Sequence, residues 1–234
     1  NGYCKTPTNK MLLGLIFPTS GSIKILGTED IGSAAVRQKI GYLPEGAYYP
    51  DFLKGEEVVR YYGRLYGIGG STLRKRVDEV LELVGMTRHR KRLVRGYSKG
   101  QRQRIGLAQA LISDPEILIL DEPTTGLDPL ARKDIRNILS GLRDEGKTLM
   151  ISSHELAEVE LISNRVAILY DGVVQTIGSL EELLVDRDVT IEAEDVAEAT
   201  VLRLKEHGIT TEDKVGGRVI LRIPQDTSLY KAMD

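Results

Sequence analysis

Apolar positions recur along this chain with two different periods. Residues 55–66 and 71–84 carry Leu or Val at helical spacing and charges on the other face, so two amphipathic helices are expected, parted by Gly67-Ile68-Gly69-Gly70. Residues 130–145 show the same spacing. Residues 155–162 read as a shorter helix, and residues 10–15 as the body of a short apolar one. Short apolar runs alternate with these helices at 22–27, 39–44, 117–122, 147–152 and 165–170, and they read as strands. Asp171-Gly172 is a type I′ hairpin signal, with residues 173–177 as the return strand. From about Gly178 the pattern changes to helix (180–185), strand (189–193), helix (196–207) and strand (219–223), a small α+β appendix.

Strands alternating with helices predict an α/β fold with a mostly parallel sheet. The run Ile117-Leu118-Ile119-Leu120-Asp121-Glu122, bounded by Asp114-Pro115 and Pro123, reads as a strand buried on both faces. Its two terminal carboxylates emerge at the strand's carboxyl end, where such sheets place their ligands. Adjacent carboxylates there are costly unless they meet a cation, a water to activate, or both. Upstream, Ser98-Lys99-Gly100-Gln101 is a glycine-bearing turn that opens a helix, and Ser98 with the Gly100 N–H suits a phosphate anion. His154 follows the strand at 147–152. The basic run 88–95, His89 and His207 read as solvated.

Composition narrows the function classes. The chain has 234 residues, 41% hydrophobic and 28% charged, with a formal net charge of -2, so no global basic field argues for nucleic acid. No apolar run reaches the length of a membrane span, and no secretory signal opens the chain. Cys4 is the single cysteine, which excludes an internal disulfide and a cysteine zinc cluster and fits a reducing cytoplasm. The first residue is not methionine, and the expectation is a start inside a longer gene or a truncated product.

A strand-end Asp-Glu pair in an α/β chain points to a nucleotide hydrolase, which needs a phosphate loop upstream. Such a loop needs glycines so that backbone N–H groups can wrap phosphates, a Lys for the outer phosphates, and a Ser or Thr hydroxyl for Mg²⁺. Lys5-Thr6 is the candidate ahead of a helix. From about residue 10 to 178, the arrangement resembles the ATP-binding subunit of ABC transporters. The resemblance implies a P-loop NTPase-like, mostly parallel sheet with an inserted helical subdomain at about 50–115. It also implies an ATP-binding domain over 1–178, incomplete at its N-terminus, and an accessory domain over 179–234.

The resemblance also assigns roles. Asn1, Gly2, Lys5 and Thr6 fit the phosphate loop. Asp121 would hold Mg²⁺ with Thr6, and Glu122 would be the general base on the attacking water. His154 would contact the γ-phosphate. Ser98, Gly100 and Gln101 would complete the ATP site of a second copy, and Asp128 in Gly126-Leu127-Asp128 would communicate across that dimer. Glu45 stands where the family has a Gln that touches the metal and the permease. The expected cofactors are ATP and Mg²⁺. The expected partners are a transmembrane permease subunit, docked near residues 45–53, and a second copy in a homodimer; nucleic acid is not expected. The expected location is peripheral, on the cytoplasmic face of the cell membrane.

The departures also carry information. Tyr97 and Lys99 in the signature, and Glu45, resemble the ABC-2 exporter branch. Cys4 stands where the last loop glycine belongs, and Pro7 removes an N–H near the phosphates, so weak ATP binding is expected of this chain. The competing readings are a non-hydrolysing regulatory module and an ABC ATPase outside transport. Repair relatives would carry zinc cysteines or a long coiled coil, and translation relatives two cassettes.

Overall fold

A computed structural model describes residues 5–46, 48–184, 189–194, 198–206, 209–214 and 218–223. The chain forms two compact units, residues 1–176 and 177–234. In the first, helix α1 (Lys5–Leu12) is followed by the short α2 (Ala34–Gln38) and strand β1 (Ile40–Leu43). Helices α3 (Gly55–Leu65), α4 (Gly70–Leu83) and α5 (Lys99–Leu111) come next, and the chain returns to the sheet as β2 (Ile117–Asp121). Helix α6 (Pro129–Asp144), strand β3 (Thr148–Ser152), helix α7 (Leu156–Ile162) and strand β4 (Arg165–Tyr170) complete this part, and strand β5 (Val173–Ser179) runs across the boundary at residue 176.

Strands β1, β2 and β3 form a parallel sheet in that order, with Leu43 opposite Leu120 and Asp121 opposite Ser152. All three carboxyl ends therefore lie along one edge, bringing Pro44-Glu45, Asp121-Glu122 and Ser152-Ser153-His154 to the same side. Burial on both faces explains the unbroken apolar run of β2. Leu118 and Leu120 join a core with Val58, Val77, Leu81 and Ile105 from the helical layer and with Ile135 and Leu139 of α6. Ile119 turns to the opposite face, against Ile25, Ile31, Val36 and Ile40. Helix α5 lies directly on β1: a Cβ added to Gly41 would stand 2.2 Å from the Ala110 carbonyl oxygen. Arg90 of the basic run is not free in solvent; it pairs with Glu56 at 2.6 Å and Asp78 at 2.7 Å, fastening the run to α3 and α4.

The second unit contains α8 (Leu180–Leu184), β6 (Val189–Glu194), α9 (Glu198–Glu206), β7 (Thr210–Lys214) and β8 (Arg218–Ile223). Its strands are antiparallel in the order β6-β8-β7, and Ile209, Ile220 and Leu221 are buried. No helix among the described residues is long and apolar enough to cross a membrane.

Several elements depart from the sequence expectations. The strand expected at 22–27 is absent. Ile25 and Thr28 instead exchange backbone hydrogen bonds of 2.9 and 3.1 Å around Leu26 and Gly27, both at positive φ, which is a tight turn. The helix expected at 10–15 ends at Leu12. Gly14, at φ 63°, caps it, with its N–H on Met11 and that of Leu15 on Lys10, the two bonds of a Schellman motif. The same helix runs through Pro7, which lies in its first turn, where the missing N–H has no intrahelical partner to lose. Helix α2 and strand β7 were not expected. Asp171 and Gly172 do take the positive φ of a type I′ turn, at 47° and 79°.

Candidate active site

Strand β2 delivers its two carboxylates differently. Asp121 is the last residue of the strand and is 2% exposed. One of its oxygens accepts from the Thr6 hydroxyl at 3.1 Å, and the other from the Ser152 hydroxyl on the neighbouring strand. Glu122 leaves the strand at φ 50°, a left-handed conformation that costs a non-glycine residue about 1–2 kcal/mol. Its N–H still bonds the Ser152 carbonyl at 3.1 Å, so the turn is fixed where the two side chains part.

The Glu122 carboxylate then collects three partners. Its Oε2 accepts from the Thr125 hydroxyl at 2.7 Å and meets His154 Nδ1 at 2.9 Å. Its Oε1 stands 3.6 Å from the Lys5 ammonium. Lys5 also donates to the Ser153 carbonyl, beside His154. Burial pushes the Glu122 acid up, but the hydrogen bonds from Thr125 and His154 and the nearby charges of His154 and Lys5 outweigh it. The net effect holds Glu122 below the ordinary carboxylate value of 4.5. Glu122 is therefore an anion at neutral pH, able to accept a hydrogen bond from water and to take its proton.

The structure thus gathers Lys5, Thr6, Asp121, Glu122 and His154, although residues 5 and 154 lie at opposite ends of the first unit. Ser152, Ser153 and Thr125 join them and were not singled out in the sequence. Their signals were present: Ser152 ends the strand beside Asp121, and Thr125 follows Glu122 by three residues. A Thr hydroxyl beside a buried carboxylate is a fitting partial shell for Mg²⁺, which keeps several waters and takes few protein ligands. Glu45 is exposed two residues beyond β1, at the same edge of the sheet. Asn1, Gly2 and Cys4 lie outside the described residues.

A second set of residues sits at the starts of α5 and α6. Ser98 caps α5 by accepting the Gln101 N–H at 3.2 Å, and the Gln101 side chain accepts the Ser98 N–H at 3.2 Å. Gly100 leaves room for Ala131: its added Cβ would lie 3.1 Å from that methyl. Asp128 caps α6 by accepting the Ala131 N–H at 2.9 Å. The Lys99 ammonium rests over Gly126, where any Cβ would stand 2.1 Å from Nζ. No hydrogen bond or ion pair joins Ser98, Gly100 or Gln101 to Glu122 among the described residues.

Between the helical layer and β1 lies a cleft of about 710 Å³, lined by Tyr42, Tyr48, Tyr49, Tyr62, Tyr66 and Arg37 among others. Tyr49 packs edge-on against Tyr62, which packs edge-on against Tyr61, while Tyr48 is 96% exposed.

The family model for the ABC transporter matches residues 1–125, more than half of the chain. An uncharacterized ABC transporter ATP-binding protein of Synechocystis is 46% identical over 79% of this chain. The ABC transporter ATP-binding protein NatA of Bacillus subtilis is 37% identical over 78% of this chain and 75% of its own length. The chain spans only about half the length of the first curated relatives it matches, 52% and 55% of two cyanobacterial ones. A solved dimeric cassette, described as a post-hydrolysis state bound to ADP and Pi, is 26% identical with TM-score 0.68, over 75% of this chain and 80% of its own. The family model and these relatives lead to one assignment: the chain belongs to the ABC transporter family, as an ATP-binding subunit with the P-loop NTPase fold.

Proposed function

We propose that this chain binds ATP, weakly because Cys4 and Pro7 alter the phosphate loop, and hydrolyses it, and that the hydrolysis drives transport through a separate membrane permease. The observation that carries this reading is the convergence of a Lys, a Thr, two carboxylates and a His on one edge of a parallel sheet. In this reading Lys5 reaches the outer phosphates. Thr6 and Asp121 hold Mg²⁺, which would neutralise phosphate charge. Glu122 takes the proton of the attacking water. His154, hydrogen-bonded to Glu122 and exposed on its other side, faces the γ-phosphate.

In the same reading Ser98, Gly100 and Gln101 serve the ATP of a second copy, with Asp128 at the contact between copies. The dimeric relative supports that arrangement. The cleft beside Tyr48 and Tyr49 offers an aromatic surface for the permease, next to Glu45. In this reading the protein sits peripherally on the cytoplasmic face of the membrane. Tyr97, Lys99 and Glu45 favour an exporter of the ABC-2 kind.

Binding of a fluorescent ATP analogue, titrated with and without Mg²⁺, tests the site. The reading expects Mg²⁺-dependent binding that Lys5→Ala abolishes. Binding that neither Mg²⁺ removal nor Lys5→Ala weakens would contradict it.

A further inference from the structure

A closed circuit of polar contacts runs from Glu122 into α6 and back. Thr125 donates to Glu122, and two residues later the Leu127 carbonyl accepts from Arg132 Nε at 3.0 Å. The other side of the same guanidinium pairs with Glu155 through Nη1. Glu155 adjoins His154, whose Nδ1 returns to Glu122 at 2.9 Å. Asp128 fixes the start of α6, so Arg132 leaves the helix one turn in, at a set angle.

His154 has little else to hold it. Its side chain is 59% exposed, and Glu122 is its hydrogen-bond partner among the described residues. Its position is carried by its neighbours: the Ser153 carbonyl is held by Lys5, and Glu155 by Arg132. When Lys5 turns to a phosphate, Ser152 still holds the strand end to Asp121, and the Arg132–Glu155 pair still tethers the residue after His154 to α6. Arg136 and Arg143 of α6 also grip this region, through Glu158 at 2.9 Å and the Ile162 carbonyl at 2.9 Å. Those contacts fix the body and far end of α7 rather than the segment ahead of it.

Resting on the reading of Glu122 and His154 as the hydrolytic pair, we propose that Arg132 is a positioning residue. One planar guanidinium spans the 126–128 loop and the residue after His154, so it sets His154 against Glu122 and ties that placement to the loop between copies. A lysine has one point charge and cannot hold both partners in this geometry.

The test is the long-range ¹H–¹⁵N spectrum of the imidazoles in the intact chain, with His154 identified by its loss in His154→Gln. Arg132→Ala is expected to move the His154 Nδ1 resonance towards its position in Glu122→Gln. Glu155→Gln, a gentler change from the other side of the pair, is expected to move it the same way. Arg143→Ala, which loosens only the end of α7, is expected to leave it in place. A wild-type His154 resonance in both Arg132→Ala and Glu155→Gln overturns the proposal, as does an equal shift in Arg143→Ala. Turnover separates this idea from the reading beneath it: Arg132→Ala should lower kcat about tenfold with KM for ATP little changed. If His154→Gln lowers turnover and Arg132→Ala does not, the positioning role fails. If His154→Gln leaves turnover intact, the hydrolytic reading fails instead.

Discussion

Asn9 offers a stability test whose size follows from its burial. It lies on α1 beside the sheet, is 2% exposed, and its side-chain Nδ2 has no hydrogen-bond partner among the described residues. A buried donor left without a partner costs about 1–3 kcal/mol. Leucine has a similar branched outline, buries no polar atom, and is the better helix former by about 0.5 kcal/mol. Asn9→Leu should therefore stabilise the first unit by about 1–3 kcal/mol, a rise of about 3–10 °C in Tm for a unit of this size. Asn9→Asp should act in the opposite direction, because it buries a charge in the same place. Thermal unfolding by circular dichroism measures both, with the transition of the first unit followed separately from that of residues 177–234. An unchanged or lowered Tm for Asn9→Leu would mean that Nδ2 is satisfied in solution and that its burial costs nothing.

Two further outcomes follow. Gly41→Ala should cost more than about 3 kcal/mol and yield largely insoluble protein, because the new methyl meets the Ala110 backbone oxygen at 2.2 Å and Leu118 Cδ2 at 2.7 Å, and the backbone cannot swing aside; a soluble variant with wild-type Tm contradicts the packing of α5 on β1. Glu122 has its pKa lowered in the folded protein, so the stability its contacts give is present above its ordinary value of 4.5 and lost as pH falls below it. Urea midpoints taken from neutral pH downwards should thus fall more steeply for wild type than for Glu122→Gln; parallel curves would contradict that assignment.

The sheet strand and both its carboxylates were legible in the sequence, because an apolar run between Pro115 and Pro123 leaves few alternatives to a buried strand. The helix start at Ser98 was legible for a similar reason: a glycine-bearing turn ahead of a helix is a local device that needs no tertiary partner, and the structure adds that Ser98 and Gln101 cap it reciprocally. The gathering of Lys5 with His154 was read only through a family resemblance, since nothing in local spacing joins residues so far apart. Residues 22–27 misled because Ser-Ile-Lys-Ile alternates polar and apolar positions like a strand, whereas positive φ at Leu26 and Gly27 turns the chain back within two residues. Strand β7 escaped notice because Thr-Thr-Glu-Asp-Lys has low strand propensity, and its pairing with β8 supplies what the residues themselves do not. Arg90 looked solvated in a basic run, yet Glu56 and Asp78 are positioned for it by helices that only the fold brings near.

The central claim is that Glu122 removes the proton from the water that attacks ATP. Phosphate release by wild type and Glu122→Gln, measured alongside ATP·Mg²⁺ binding by the same two proteins, tests it most directly. Glu122→Gln is expected to retain binding and to lose about 10²–10⁴-fold in hydrolysis. Hydrolysis at the wild-type rate by Glu122→Gln, or a wild type that binds ATP·Mg²⁺ and releases no phosphate, would contradict it.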